Sequence, residues 1–357
     1  MIKKALIAMS GGVDSSVAAY LMQQRGFDCT GITLKLFDSD TDAEPGEKTC
    51  CSLDDIEDAR SVCRRLGIPH FVYNFKDSFS ENVIARFIRA YETGCTPNPC
   101  IDCNRYIKFD KLIRRAEELD FDCVVTGHYA RVLYDEKAGR WLLKKALDLS
   151  KDQSYVLYSL TQRQLSKTVF PLGEMTKDET RTLAEQTGFV NARKHDSQDI
   201  CFVPDGDYAR FIEEYTGKTY PCGDFVDENG NVLGEHKGII RYTVGQRKGL
   251  GLALPHPMYV KEKNLAENKV VLCDNDALFS KELFAEDLNL ISVEALTEPT
   301  RVNARVRYNQ KEQPATVYPA GENTVRVVFD EPQRAVAKGQ AVVLYQGDSV
   351  LGGATII

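Results

Sequence analysis

Ser10-Gly11-Gly12-Val13-Asp14-Ser15-Ser16 is the stretch whose residue types and spacing speak most directly of chemistry. It follows the apolar run Ala5–Met9 and opens a helical pattern. Gly11 and Gly12 remove side chains where a backbone must wrap a phosphate. Ser10, Ser15 and Ser16 offer hydroxyls. The helix start adds free N–H groups and a positive dipole end. Ala8, Met9 and Val13 complete the loop. The Gly-Lys-Ser/Thr ending of a Walker A loop is absent. Asp14 suits a magnesium-associated carboxylate, because Mg²⁺ takes few protein carboxylates plus phosphate oxygens. The bland reading is a glycine turn with a serine cap. The full string between a strand and a helix favours phosphate.

A second chemistry lies in the 11 cysteines. The odd count and the absence of a signal-like leader point to a cytoplasmic protein rather than a disulfide framework. The apolar run near the N-terminus is too short for an h-region, and no stretch approaches the length of a membrane span. Cys29, Cys63, Cys123, Cys222 and Cys273 sit in or beside apolar runs and read as packing. Cys103 and Cys201 are flanked by Pro, Asn, Asp and Gln, which reads as exposed loops. Cys50, Cys51 and Cys95 stay open. Cys100-Ile101-Asp102-Cys103 forms a Cys-x-x-Cys pair, weak by itself as a metal signal.

The elements that must position these groups come in two textures. Strand-like runs at Lys4–Met9, Cys29–Phe37, Phe71–Tyr73 and Cys123–Thr126 alternate with helical runs at Asp14–Arg25, Asp54–Leu66, Ser80–Thr93 and Lys108–Leu119. Such alternation predicts an α/β domain with a Rossmann-like parallel sheet covered on both faces. Gln162–Gln186 reads as two short helices. After about residue 205, Gly and Pro punctuate short strands such as Gly238–Tyr242. From about 280 the pattern is nearly all β, with Ala315–Tyr318 and Thr324–Asp330 pairing across a turn, as in a small barrel. The expected division is 1–205, 206–278 (small α+β) and 279–357 (β-barrel). The 357 residues carry a net charge of -7. That balance argues against coating nucleic acid by bulk charge, though a local basic surface is compatible with it.

The phosphate loop resembles the signature of PP-loop ATP pyrophosphatases, which cut ATP between its α- and β-phosphates. Four further strings narrow the resemblance. They are Thr96-Pro97-Asn98-Pro99-Cys100-Ile101-Asp102-Cys103-Asn104, Thr126-Gly127-His128-Tyr129-Ala130-Arg131, Lys151-Asp152-Gln153-Ser154-Tyr155 and Ser197-Gln198-Asp199-Ile200-Cys201-Phe202. With Cys50–Asp55, Tyr242–Gly251 and Arg305–Tyr308 they resemble the tRNA-specific 2-thiouridylase family over nearly the whole chain. The resemblance implies an ATP-dependent thiotransferase acting on the wobble uridine of tRNA anticodons. Adenylation would turn uridine O2 into a good leaving group. A persulfide on Cys201 would bring sulfur, and Cys103 would release it, leaving a disulfide.

The same resemblance implies ATP on Ala8–Ser15, with Leu34 and Gly127 at the adenine side and Mg²⁺ beside the phosphates. Asn98, Pro99 and Cys100 would meet a flipped target base. His128, Lys151, Asp152, Gln153, Arg307, Tyr308 and Gln340 would contact tRNA. Independently of the resemblance, Arg86, Arg89, Arg105, Lys108, Lys111, Arg114 and Arg115 outnumber nearby acids around the cysteine pair, and Arg241, Arg247, Lys248, Arg301, Arg305, Arg307 and Lys311 give basic points in the later domains. The sulfur donor would be a cysteine desulfurase, a sulfur-carrier protein or inorganic sulfide. Where the family pattern has Asn-Pro-Asp-x-x-Cys, this chain has Cys100, and an aspartate stands instead at Asp102. Cys100, Cys103 and Cys201 could therefore hold a four-iron iron–sulfur cluster with one open iron. That reading and the persulfide–disulfide reading both stay open on sequence. So do an amide-forming PP-loop synthetase and a non-catalytic RNA- or metal-binding module.

Overall fold

The computed structural model describes residues 2–37, 53–195 and 200–357. Cys50, Cys51 and Ser197–Asp199 of the motifs above lie outside these residues. Strand β1 (Lys4–Ala8) leads into helix α1 (Val13–Gln24), β2 (Asp28–Lys35), α2 (Leu53–Leu66) and β3 (His70–Asn74). β4 (Cys123–Val125) is followed by the hairpin β5 (Ala130–Asp135) and β6 (Arg140–Lys145), then by the short β7 (Thr168–Val169). Five of these strands form a parallel sheet in the order β3-β2-β1-β4-β7. β1 is apolar and buried because both of its faces are covered. α1 packs Val17, Ala18, Ala19 and Met22 inward.

The chain steps from β1 outward to β2 and β3, then returns to the other side of β1 with β4. This reversal leaves a crevice beyond the carboxyl ends of β1 and β4, where doubly wound sheets bind ligands. The phosphate loop leaves β1 there, and Thr126-Gly127-His128 leaves β4 beside it.

Two helical segments begin earlier than the sequence pattern suggests. The first runs from Lys76 to Glu92 through a π-helical turn at Ser80–Ile84. The second begins at Pro99, not Lys108. Pro99–Asp102 is α-helical, Cys103–Lys111 π-helical and Leu112–Glu118 α-helical again. Asn98 caps this start by accepting the Cys100 N–H at 3.1 Å, and Pro99 occupies the first turn. An Asx cap followed by Pro is a helix start, so the polar flank of Cys103 marks an N-terminus and not a loop.

The middle of the chain forms a four-stranded sheet from Gly223–Val226, Val232–His236, Tyr259–Asn264 and Lys269–Cys273. The strand expected at Gly238–Tyr242 is instead a 3-10 turn over Ile239–Arg241. Gly238, at φ +103°, bends the chain and Ile239 and Ile240 drop into the core. The last strands close on themselves in the order Phe279–Leu290, Val325–Arg334, Gln313–Pro319, Thr300–Arg305, Ala341–Gln346 and Ser349–Ile356, which pairs back to the first. Closure removes the exposed edges. The β5–β6 hairpin of the first half joins this sheet at Ser349–Lys144, so the barrel is tied to the nucleotide-type domain by strand pairing.

Candidate functional site

The phosphate loop is built backbone first. Met9 N–H bonds the Ile32 carbonyl at 2.8 Å, and Thr33 Oγ1 donates to the Met9 carbonyl, which fixes where the chain leaves β1. Ser15 Oγ accepts the Ser10 N–H at 3.2 Å, and both Ser15 and Ser16 hydroxyls donate to the Gly12 carbonyl at 3.0 Å. Gly12 at the N-cap offers no side chain to the first-turn amides of α1. Those amides are thus suited to an anion. Gly11 has φ +75°, and a Cβ there would stand 2.4 Å from the Asp55 carbonyl oxygen. A Cβ on Gly127 would meet the Asp14 carbonyl carbon at 2.7 Å. Both glycines are close-approach residues, required because α2 and the β4 turn press on the loop.

Three residues that sequence reading did not single out converge on the loop. Asn191 Nδ2 donates to the Gly11 carbonyl at 2.8 Å and to Ser16 Oγ at 2.9 Å. Lys194 Nζ bridges Asp55 at 2.6 Å and Asp58 at 2.7 Å, 3.5 Å from the Gly11 carbonyl. Lys177 Nζ contacts both oxygens of Asp14, at 2.7 and 2.9 Å. The Tyr129 hydroxyl donates to the same carboxylate at 2.9 Å. None of these lies within 100 residues of its partner in the loop, so no local pattern reveals them. The capping box Thr176–Glu179 was a visible signal for the helix that carries Lys177.

Cys103 is 8% exposed and belongs to one apolar cluster with Leu34, Leu36, Ile101 and Ile107. Cys201 packs against that cluster, half-buried. Its neighbour Phe202 is seated edge-on against Phe79 and Phe87, with ring centroids 5.7 and 5.2 Å away. The fold therefore brings two thiol segments, 98 positions apart in sequence, onto one extended apolar cluster. Cys100 is exposed one turn before Cys103. Cys29, Cys63, Cys123 and Cys273 are buried as expected, and burial pushes the thiols of Cys29, Cys63 and Cys123 up to about 11, 12 and 11. Thiols held so far above neutrality are poor nucleophiles. Cys222 is exposed rather than packed, because it lies in the segment entering the strand Gly223–Val226.

The barrel reaches the cysteine helix. Gln340 Nε2 donates to the Thr96 carbonyl at 2.7 Å, and Thr96 N–H donates to the Lys338 carbonyl at 2.8 Å. Gln340 thus holds the segment that ends in Asn98. Tyr308, 37% exposed, stacks edge-on against Tyr155 and lies within electrostatic reach of Cys100. Arg307, half-buried, donates to the Ala335 carbonyl. Asp152 is buried. It accepts the Ala146 and Ser154 N–H groups and the Ser154 hydroxyl, with Arg305 at 3.5 Å. Its carboxylate faces protein, so it shapes the loop. Gln153 and Tyr129 exchange two bonds of 2.9 Å, tying that loop to the Gly127 turn. Lys151 stands half-buried at its edge. His128 is buried between Phe109 and Phe170, 2.7 Å from Thr126 Oγ1, and burial holds its pKa well below the ordinary value. It is a satisfied core histidine.

Family models match three consecutive segments: a tRNA methyl transferase HUP domain over 3–205, a tRNA methyl transferase PRC-barrel domain over 209–274 and an aminomethyltransferase β-barrel domain over 280–356. Over its full length the chain is 52% identical to the tRNA-specific 2-thiouridylase MnmA of Clostridioides difficile, covering 100% of this chain and 98% of that one. The chain belongs to the tRNA-specific 2-thiouridylase family. The MnmA proteins of Acetivibrio thermocellus and Lachnoclostridium phytofermentans are 51% and 49% identical, covering 99% and 100% of this chain and 99% and 100% of theirs.

In this 2-thiouridylase-family chain most of the arginines read as an RNA surface are paired with carboxylates. Arg86 meets Asp102, Arg105 meets Asp287, Arg114 meets Asp110, Arg115 meets Glu118, Arg241 meets Glu213, Arg301 meets Asp330 and Arg305 meets Glu312. Arg247, Lys248 and Lys311 are exposed. Asp102 is half-buried, and desolvation raises its carboxyl against the opposing pull of Arg86 and Arg105. Among the described residues no three His, Cys, Asp or Glu side chains gather as a metal site. Cys100 faces solvent while Cys103 faces the core. The described residues thus give the iron–sulfur reading no support. A magnesium ion is different, since it takes one or two carboxylates plus phosphate and water. Asp14, in the loop, fits that limited role.

Proposed function

We propose that this protein catalyses ATP-dependent 2-thiolation of the wobble uridine in tRNA anticodons. The observation that carries the reading is that Cys103 and Cys201, far apart in sequence, belong to one apolar cluster. ATP binds with its phosphates on Ala8–Ser15 and its adenine toward Leu34 and Gly127. Uridine O2 attacks the α-phosphate, pyrophosphate leaves, and the oxygen carries AMP. The first-turn amides of α1 stabilise the phosphate charge.

Sulfur then moves along the two thiols. A donor, either a cysteine desulfurase with its carriers or inorganic sulfide with an oxidant, loads a persulfide on Cys201. The terminal sulfur attacks C2 and AMP departs. The Cys103 thiolate attacks Cys201 Sγ, the S–S bond to the base breaks, and its electrons become the thiocarbonyl. The Cys103–Cys201 disulfide that remains returns to two thiols by exchange with an external dithiol. Asn98, Pro99 and Cys100 receive the flipped base, with Tyr308 at its rim. The grip of the barrel on Thr96 supports this reading over an amide synthetase, because it ties an RNA-facing domain to the cysteine helix.

The test is thiolation of unmodified tRNA with ATP and a persulfide donor, read by mass spectrometry of digested tRNA. Formation of 2-thiouridine with one AMP per base is expected. Loss of the activity without ATP, but full activity in both Cys103→Ala and Cys201→Ala, would overturn the sulfur route and leave the nucleotide step standing.

A further inference from the structure

The peptide between Gly11 and Gly12 is the part of the phosphate loop that is easiest to turn over. Glycine on both sides lets the plane flip at little steric cost, and Gly11 already stands at φ +75°. Its direction matters because a trans peptide points its C=O and its N–H to opposite sides. With the carbonyl turned inward, the Gly12 N–H faces outward, where an anion can take it. With the plane reversed, a carbonyl oxygen would meet that anion instead. The carbonyl is turned inward. Asn191 Nδ2 donates to the Gly11 carbonyl at 2.8 Å and to Ser16 Oγ at 2.9 Å. Asn191 is 3% exposed and Gly11 is buried, whereas Gly12 is half-buried. Asn191 stands on a packed turn. Ala192 N–H donates to the Phe189 carbonyl at 3.2 Å and Lys194 N–H to the Asn191 carbonyl at 3.0 Å. Phe189 and Ala192 are buried in the same apolar cluster as Met9 and Val13.

Two further observations single out this side chain. Lys194, the other group near the Gly11 carbonyl, stands 3.5 Å from it, and its charge is taken up by Asp55 and Asp58. Asn191 Oδ1 is buried and, among the described residues, accepts no hydrogen bond. The amide cannot turn to relieve that oxygen without breaking both bonds of Nδ2 to the loop. A buried acceptor left unpaired lowers stability, which an apolar residue at this position would avoid. We propose that Asn191 is a positioning residue: it locks the Gly11–Gly12 peptide so that the Gly12 N–H is directed at a phosphate of the bound nucleotide. The inference rests on the nucleotide-binding reading of the loop. The loop is thereby set for an anion before the nucleotide arrives, and it is held by a segment 180 positions downstream.

Binding of α,β-methylene-ATP and of adenosine to the full-length protein, followed by isothermal titration, tests this. Asn191→Leu should bind the ATP analogue about tenfold more weakly than the wild type. It should bind adenosine equally well, since adenosine carries no phosphate. Equal binding of the analogue by the two proteins, or an equal loss for adenosine, would overturn the proposal. The wild type gives a second measurement that does not depend on how the variant folds. The amide proton of ¹⁵N-labelled Gly12 should move downfield with the analogue and stay in place with adenosine. No shift with the analogue, or the same shift with both, would also overturn it. A wild type that binds neither compound would instead overturn the nucleotide reading, and the positioning role with it.

Discussion

At the scale of single residues, Cys103 and Cys201 hold different surroundings. Cys103 lies in the core at the inner end of a capped helix, and Cys201 sits half-buried on a turn anchored by Phe202. The proposed sequence puts both downstream of adenylation. Alanine at either position should lower 2-thiouridine by at least about 100-fold, while pyrophosphate release with tRNA persists. Paired product and pyrophosphate assays check this. His128 makes a prediction about acid stability. Its folded pKa is depressed by burial, so below about 6.5 the unfolded chain takes up a proton that the folded chain refuses. Stability should therefore fall as the pH drops through that range. The fall should be shallower in His128→Asn, measured as the thermal midpoint against pH. The types of these residues were visible in sequence. The burial of Cys103 and of His128 was not.

At the scale of elements, the decisive pieces are two helix starts. Gly12 leaves the first turn of α1 without a side-chain cap, which suits it to phosphate. Asn98 closes the first turn of the cysteine helix, which fixes Cys100 outward and Cys103 inward. Asn98→Ala should cost about 1 kcal/mol of stability and reduce thiolation, as seen in denaturant midpoints and product yield. Gly11→Ala should be harsher on ATP binding, because φ +75° and the Asp55 carbonyl 2.4 Å from a Cβ both oppose it. Isothermal titration with an ATP analogue reads that loss. The strand–turn–helix of the loop was legible because it is local. The start of the cysteine helix reads as a loop in sequence because the polar residues of its cap imitate turn chemistry. The interrupting π-helical turns, which widen the helix at Cys103–Lys111, have no simple sequence signature.

At the scale of the whole molecule, the β-rich half is braced against the α/β half at the segment between Gly94 and Asn98. Gln340 grips Thr96, and Lys263 of the middle sheet buries its ammonium there, 5.8 Å from the Tyr91 ring centre. Gln340→Ala should weaken tRNA thiolation through KM by roughly tenfold, at about 1.4 kcal/mol, with tRNA-independent ATP binding unchanged. Among the described residues Lys263 Nζ has no hydrogen-bond partner, and burial pulls its pKa down to about 8. The folded state therefore bears the cost of the buried charge at neutral pH. That cost fades as pH rises from about 8 toward the unfolded value near 10.4. Lys263→Met should raise the thermal midpoint at pH 7, and its advantage should shrink by pH 10.

The sequence by itself determined the local chemistry: a phosphate loop between strand and helix, a Cys-x-x-Cys pair, an acidic chain with β-rich later domains. These follow from nearest neighbours along the backbone, where periodicity and turn residues act. Only the tertiary structure decided which groups meet. Lys177 and Asp14 are 163 residues apart, and Gln340 and Thr96 are 244 apart. It also decided that many of the arginines expected to face RNA are paired with carboxylates, and that Cys100 is exposed while Cys103 is buried. Charge pairing and burial depend on distances through space, which a linear pattern does not encode.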